Sequence, residues 1–250
     1  MIATVLYPSI PHLPGSRAAA DRVLQPAQAR RFIDASYVSK DVVIVEEKLD
    51  GSCVVVARED DEIVAYGREG GPAELSPNEG RRMFAAWVEA NAARFREVLI
   101  DGERIAGEWL ALAHGIRYEL PHEPFVVFDV FCKDQRASRE EVRWRCKRAK
   151  LTMAGLVHEG GPIAIEDAVK KLGGGFSGAK DKPEGVVYRI ERKGRVEDRG
   201  AQRSGLSVSR GFGGGAPIVT AVAKWVRGDK VDGELLPENT GREAVWNWRP

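Results

Sequence analysis

Two runs rich in β-branched residues, Val42-Val43-Ile44-Val45 and Cys53-Val54-Val55-Val56-Ala57, stand on either side of Glu46-Glu47-Lys48-Leu49-Asp50-Gly51-Ser52. Such a segment has few ways to fold: it predicts strand, tight turn and strand, a hairpin closed around Asp50-Gly51. It also places Lys48 at the end of a hydrophobic strand, just before a glycine-containing turn. An ordinary lysine, with a pKa of about 10.4, is almost wholly protonated at neutral pH and is a poor nucleophile. Burial or neighbouring cations tune it toward neutrality, and it can then attack. Read alone, the motif fits either such a nucleophile or a surface lysine in a hairpin.

At 250 residues and 43% hydrophobic content, the chain can bury one large core or two small ones. Cys53, Cys132 and Cys146 lie far apart with no CxxC pair, which argues against a zinc site or a disulfide framework and suits a reducing cytoplasm. Pro8, Pro11 and Pro14 interrupt the start of the chain, no basic region there precedes an apolar stretch, and no apolar run approaches the roughly 18 residues of a membrane span. Neither secretion nor a membrane partner is expected. A net charge of +1 gives no overall pull toward nucleic acid, so a polyanion would be held by local clusters.

Along the chain, Gln25 to Ala35 reads as a short helix and Glu62 to Gly67 as a third strand, with Arg68 at its end. From Ser76 to Leu99 the spacing of Met83, Phe84, Trp87, Val88, Phe95, Val98 and Leu99 predicts one long helix, with Ser76 as N-cap and Pro77 at its first position. Strands follow at Arg104 to Leu112 and Phe125 to Phe131. A basic helix from Ser138 to Met153 comes next, with a capping-box start, and then a short helix over Ile165 to Leu172 that ends at Gly173-Gly174-Gly175. Glu184 to Ile190 and Ile218 to Val226 read as the last strands. Between them, residues 192 to 216 form a long Gly-, Ser- and Arg-rich stretch, a candidate substrate-contacting loop. Many strands, few helices and no regular βαβ alternation indicate an α+β fold of mainly antiparallel sheets flanked by helices.

The charged residues at strand edges gain meaning from their order. After Lys48 come Arg68, Gly107-Glu108-Trp109, Phe125-Val126-Val127-Phe128-Asp129, Glu184-Gly185-Val186-Val187 and Ala223-Lys224-Trp225-Val226-Arg227. A reaction at a nucleotide phosphate would use every type: cations against phosphate charge, carboxylates for metal or ribose, and an aromatic face for a base. The series resembles the signature motifs of the covalent nucleotidyltransferases, the superfamily of ATP-dependent DNA and RNA ligases and mRNA capping enzymes. Within it, the Gly107-Glu108-Trp109 to Phe128-Asp129 spacing is closer to the RNA ligases of phages and their relatives, and the opening Pro11-His12-Leu13-Pro14-Gly15-Ser16 resembles small RNA ligases as well. Taken by itself, His12 between prolines reads as a turn or packing residue.

The resemblance implies an adenylyltransferase domain, an ATP-grasp-like ligase fold over residues 1–230, with a short tail at 231–250 in place of a C-terminal OB domain. It implies Lys48 as the nucleophile that becomes lysyl-AMP, with ATP and Mg2+ as cofactors. It further implies Glu108 at the ribose, Phe128 stacked on adenine, the Glu47 backbone beside adenine, Glu184 at the metal, and Lys224, Arg227 and Arg68 on phosphates, with Lys224, Arg227 and bound magnesium lowering the Lys48 pKa. The partner implied is RNA with nicked or single-stranded ends, or DNA, joined 5'-phosphate to 3'-hydroxyl, with room for an end-healing or accessory-domain partner. Basic residues between Arg143 and Lys150 and between Arg192 and Arg210 are candidate polynucleotide contacts. Asp101-Gly102-Glu103 offers a rival to Glu108 that suits a DNA nick ligase, and an inactive nucleic-acid-binding domain of the same fold is the non-enzyme alternative.

Overall fold

A computed structural model describes residues 5–193 and 216–250. Among the described residues ten strands form two sheets. In the four-stranded sheet, β1 (Val42–Lys48) lies between β8 (Leu156–Gly160) and β9 (Gly185–Arg192), and β10 (Ile218–Val226) pairs with β9; all pairs are antiparallel. The six-stranded sheet runs β3 (Glu62–Gly67), β2 (Ser52–Glu59), β4 (Glu103–Trp109), β5 (Phe125–Cys132) and β6 (Gln135–Arg136), with β7 (Thr152–Met153) parallel to β5.

The expected hairpin is therefore absent. β1 and β2 belong to different sheets, and the Lys48–Gly51 turn carries the chain from one to the other. A two-residue hairpin of the favoured type needs positive φ at its central residues. Neither Asp50 nor Gly51 has one. Glycine serves another purpose at 51, where a Cβ would come within 2.5 Å of Trp109 O.

Each sheet buries its own core. Behind the six-stranded sheet, α2 (Glu79–Ala90), α3 (Ala92–Arg96) and α4 (Arg139–Ala149) cover Val54, Val56, Ile105, Trp109, Phe125 and Val127. Behind the other, α1 (Pro26–Ile33) and α5 (Ile165–Leu172) cover Val43, Val45, Val186, Tyr188 and Ile190. Strand alternation then fixes what faces the opposite way. Glu46 and Lys48 of β1, Glu108 of β4, Arg189 of β9 and Lys224 of β10 line a cleft between the sheets.

The long helix expected from Ser76 is broken in two. Asn78, not Ser76, caps α2 by accepting from Arg81 N, and Asn91 separates α2 from α3. Asn91 folds back on the helix end instead, its side chain donating to Trp87 O. The basic helix stops at Ala149 because Lys150 adopts a left-handed conformation, which frees Thr152-Met153 to pair with β5. The short strand β8 carried no legible signal, since Leu156-Val157-His158-Glu159-Gly160 has neither a strong alternation nor an apolar run. Among the described residues no helix is long and apolar enough to cross a membrane.

Candidate active site

The cleft encloses a cavity of about 340 Å³. Lys48 lies on its wall at the end of β1. Its Nζ donates to Glu184 Oε2 and to Leu49 O, each at 3.0 Å. Glu184 immediately precedes β9 and is held from behind: Arg227 N donates to its carbonyl and Arg227 Nε to Pro183 O. Glu108, on the neighbouring sheet, accepts from Gly51 N at 2.9 Å and so fixes the turn that follows Lys48. Phe128 lines the cavity from β5 with its ring edge-on to Tyr7, centroids 5.0 Å apart.

Glu47 points to the other face of β1. Its carboxylate accepts from Phe176 N and Ser177 Oγ, tying the glycine-rich loop after α5 to the strand that carries the lysine.

The charges nearest Lys48 are carboxylates. Burial opposes the charge on Lys48, but the Glu184 and Glu108 carboxylates outweigh it and raise its pKa above the ordinary value. The lysine is thus held as an ammonium, not tuned toward a free amine. Burial raises Glu184, and it pushes Glu108 up to about 7, with Lys48 pulling down and Glu184 pushing further up. Lys224 shifts the other way, lowered by burial and by Lys48 beside it.

Among the described residues, Lys224 and Arg81 have no side-chain hydrogen-bond or ion-pair partner, and Arg68 uses only Nε, on Tyr7 O. These three cations line the same cavity with their charge uncompensated by a paired carboxylate. Excess positive charge in a concave, partly buried site favours a polyanion.

Several sequence expectations move. Arg227 is not among the lining residues; its guanidinium engages Asp229 at 2.9 Å and the Pro183 carbonyl, so it braces the segment that carries Glu184. Glu103 lies at the far end of β4, bound to Arg145 at 2.5 and 3.1 Å, while Glu108 faces Lys48's cleft. That buries Arg145, and Arg139 pairs with Glu46, so the exposed basic face of α4 reduces to Arg143, Lys147 and Arg148, beside exposed Trp144. Most of the expected 192–216 loop lies outside the described residues.

His12 is a packing residue. It lies beside Lys224 where the N-terminal segment pairs with β10, its Nδ1 is 2.7 Å from Ser16 Oγ, and burial followed by Lys224 and Lys48 lowers its pKa to about 4. Sequence reasoning missed Arg81, Ser52 and His114 in the cavity wall, and Lys230, fully buried against Asp50. Arg81 lies on a helix surface where an arginine carries no signal of its own.

A family model described as RNA ligase matches residues 41–203, which hold Lys48 and its turn, both cleft carboxylates and Phe128. The chain belongs to the RNA ligase family. Among solved structures, an archaeal ATP-dependent RNA ligase is 22% identical with a TM-score of 0.47, over 73% of this chain and 44% of that one. A Naegleria gruberi RNA ligase mutant, solved with AMP and Mn, is 16% identical with a TM-score of 0.50, over 80% and 53%. A putative ATP-dependent DNA ligase from Aquifex aeolicus is 16% identical with a TM-score of 0.46, over 88% and 49%. At these identities the likeness concerns the fold alone, and this RNA ligase family member spans about half the length of the structures it matches. No curated protein matches it.

Proposed function

We propose that the protein is an ATP-dependent RNA ligase that works through lysyl-AMP on Lys48. The observation that carries this reading is the placement of Lys48 Nζ, 3.0 Å from Glu184, in a cavity shared with Glu108, Phe128 and the uncompensated Lys224, Arg68 and Arg81. In step one, Nζ forms a bond to the α-phosphorus of ATP, the bond to the pyrophosphate oxygen breaks, and Nζ loses a proton. A 5'-phosphate oxygen then attacks that phosphorus as the Nζ–P bond breaks and Nζ regains a proton, and a 3'-hydroxyl, losing its proton, attacks the activated 5'-phosphate and expels AMP.

Each side chain has a physical task in this sequence. Lys224, Arg68 and Arg81 offset phosphate charge that would otherwise repel the nucleophile. Phe128 offers a face for the base and Glu108 an acceptor for ribose hydroxyls. Nζ has to shed a proton before it attacks, and Glu184 is a carboxylate within hydrogen-bond reach of it.

Among the described residues no three His, Cys, Asp or Glu side chains converge as a metal cage. Glu184 and Glu108 suit instead a magnesium ion held by one or two carboxylates, with substrate phosphates completing its shell. Held there, magnesium would supply positive charge at the α-phosphate.

RNA as the acceptor follows the family. The Asp-Gly-Glu run that suited a DNA ligase is occupied by its own ion pair. Incubation with α-labelled ATP and magnesium is expected to label the wild-type protein and leave Lys48→Ala unlabelled. Full labelling of that variant would overturn the reading. A panel of nicked and single-stranded ends carrying ribose or deoxyribose 3'-hydroxyls then assigns the acceptor.

A further inference from the structure

We propose that Lys230 is a positioning residue for the nucleophile, clamping the Asp50-Gly51 turn from the C-terminal side; this rests on the reading of Lys48 as the nucleophile. Lys230 follows β10 and is 1% exposed. Its Nζ lies 3.1 Å from Asp50 Oδ2 and donates to Val231 O at 2.8 Å. The same Asp50 oxygen accepts from Gly115 N at 2.8 Å. A Cβ on residue 115 would come within 2.4 Å of Lys230 Nζ and 2.8 Å of Val231 O, so only glycine lets the β4–β5 loop pass so close to the ammonium. A buried ammonium is costly unless it is both paired and hydrogen-bonded. This one is both, and its partner is the aspartate two residues beyond Lys48.

The turn is otherwise held through its backbone. Asp50 N donates to Tyr118 Oη at 3.0 Å and Gly51 N to Glu108 Oε1 at 2.9 Å. The loop that supplies Tyr118 and Gly115 is in turn fastened to the C-terminal segment. Leu235 N donates to His114 O, Ala113 N to Val245 O, and Tyr118 N to Asn247 Oδ1. Residues 231–250 are therefore stitched to the site, and Lys230 carries that hold directly to Asp50. Lys48 Nζ donates to Leu49 O in the same turn, so the orientation of these peptides decides where the nucleophile points. Without the ammonium, Asp50 keeps a half-buried carboxylate with the Gly115 amide as its remaining donor among the described residues, and the turn can rotate.

Lys230→Met removes the charge and keeps most of the apolar stem. The expected result is a single-turnover labelling rate at saturating ATP that falls about 10- to 100-fold, the scale of a misplaced nucleophile. The ATP concentration for half-maximal rate should move less than about threefold, because the phosphate-binding cations are untouched. Hydrogen exchange should quicken at Asp50 and Gly51 while β5 and β9 keep their protection. In a double-mutant cycle with Asp50→Asn, the combined loss should equal that of the worse single variant, because both break one contact. A labelling rate equal to wild type, additive losses, or lost protection across both sheets would each overturn the proposal. Failure of the wild-type protein to take up label would overturn the nucleophile reading instead, and the exchange pattern would still decide whether the clamp exists.

Discussion

Glu103 and Glu108 stand at opposite ends of β4, on opposite faces of one strand. Glu103 faces the helices, where Arg145 of α4 donates twice to its carboxylate and Ile100 N donates once. Glu108 faces the cleft, accepts one backbone N–H, and shares its surroundings with Glu184. Both are almost fully buried, so burial does not separate them. Charge balance does. Where a buried carboxylate meets a matched guanidinium, the pair belongs to the fold. Where carboxylates crowd one ammonium, the energy is left unresolved, and such sites are candidates for chemistry.

Breaking the matched end should give the largest effect. Glu103→Gln leaves the Arg145 guanidinium, 2% exposed, with a weaker partner. Removing one member of a buried pair typically costs about 3–5 kcal/mol, and the remaining Glu141 partner puts this case near the lower figure. Chemical denaturation measures it. Labelling per folded molecule should stay at the wild-type level. A stability loss below about 1 kcal/mol, the scale of an exposed pair, would erase the distinction between the two ends.

The converse substitution sharpens it. Glu108→Gln keeps an acceptor for Gly51 N and removes a charge the surroundings disfavour, so stability at neutral pH should hold or rise. Labelling at saturating ATP should fall about 10- to 100-fold, since a preorganised polar group near the reacting centre is lost. Unchanged labelling would show Glu108 to be no more functional than Glu103.

Part of this contrast was legible in the sequence, because residues five apart on a strand must face opposite ways. Trp109 is apolar and belongs to the core, so Glu108, its neighbour, belongs to the cleft; Glu103 shares the face of Trp109. The order Lys48, Glu108, Phe128, Glu184, Lys224 likewise pointed to one cavity, and these residues do line it or, for Glu184, contact the lysine in it. Other parts were not legible. The turn after Lys48 looked like a hairpin because local propensity cannot tell which strands will pair, and pairing here is settled by β9 and β4. Arg145 and Lys230 resemble any surface cation in a polar stretch. Their burial depends on partners at Glu103 and Asp50, contributed by distant segments.

The smallest predicted effect is the share of the pH dependence of stability that belongs to Glu108. Burial first, then the neighbouring Glu184, pushes its pKa to about 7 against an ordinary 4.5, with Lys48 pulling the other way. Between these values the folded protein holds a proton that the unfolded chain has released. The contribution of Glu108 to stability must therefore fall as pH rises through this window and level off above it, while His12, lowered to about 4, contributes in the opposite direction. At 1.36 kcal/mol for each pKa unit, the full effect is about 3 kcal/mol at most, and coupling to Lys48 reduces it. Lys48, raised from its ordinary 10.5, contributes stability that is complete below that value and lost only as pH climbs through its higher folded pKa, so it leaves this window undisturbed. Glu108→Gln should remove this contribution: wild type and variant should be closest in stability near pH 5 and separate, in the variant's favour, by about 1–2 kcal/mol toward pH 7.5. Parallel stability curves would mean that Glu108 titrates as an ordinary carboxylate, and the cleft end of β4 would then carry no more stored electrostatic energy than the end locked by Arg145.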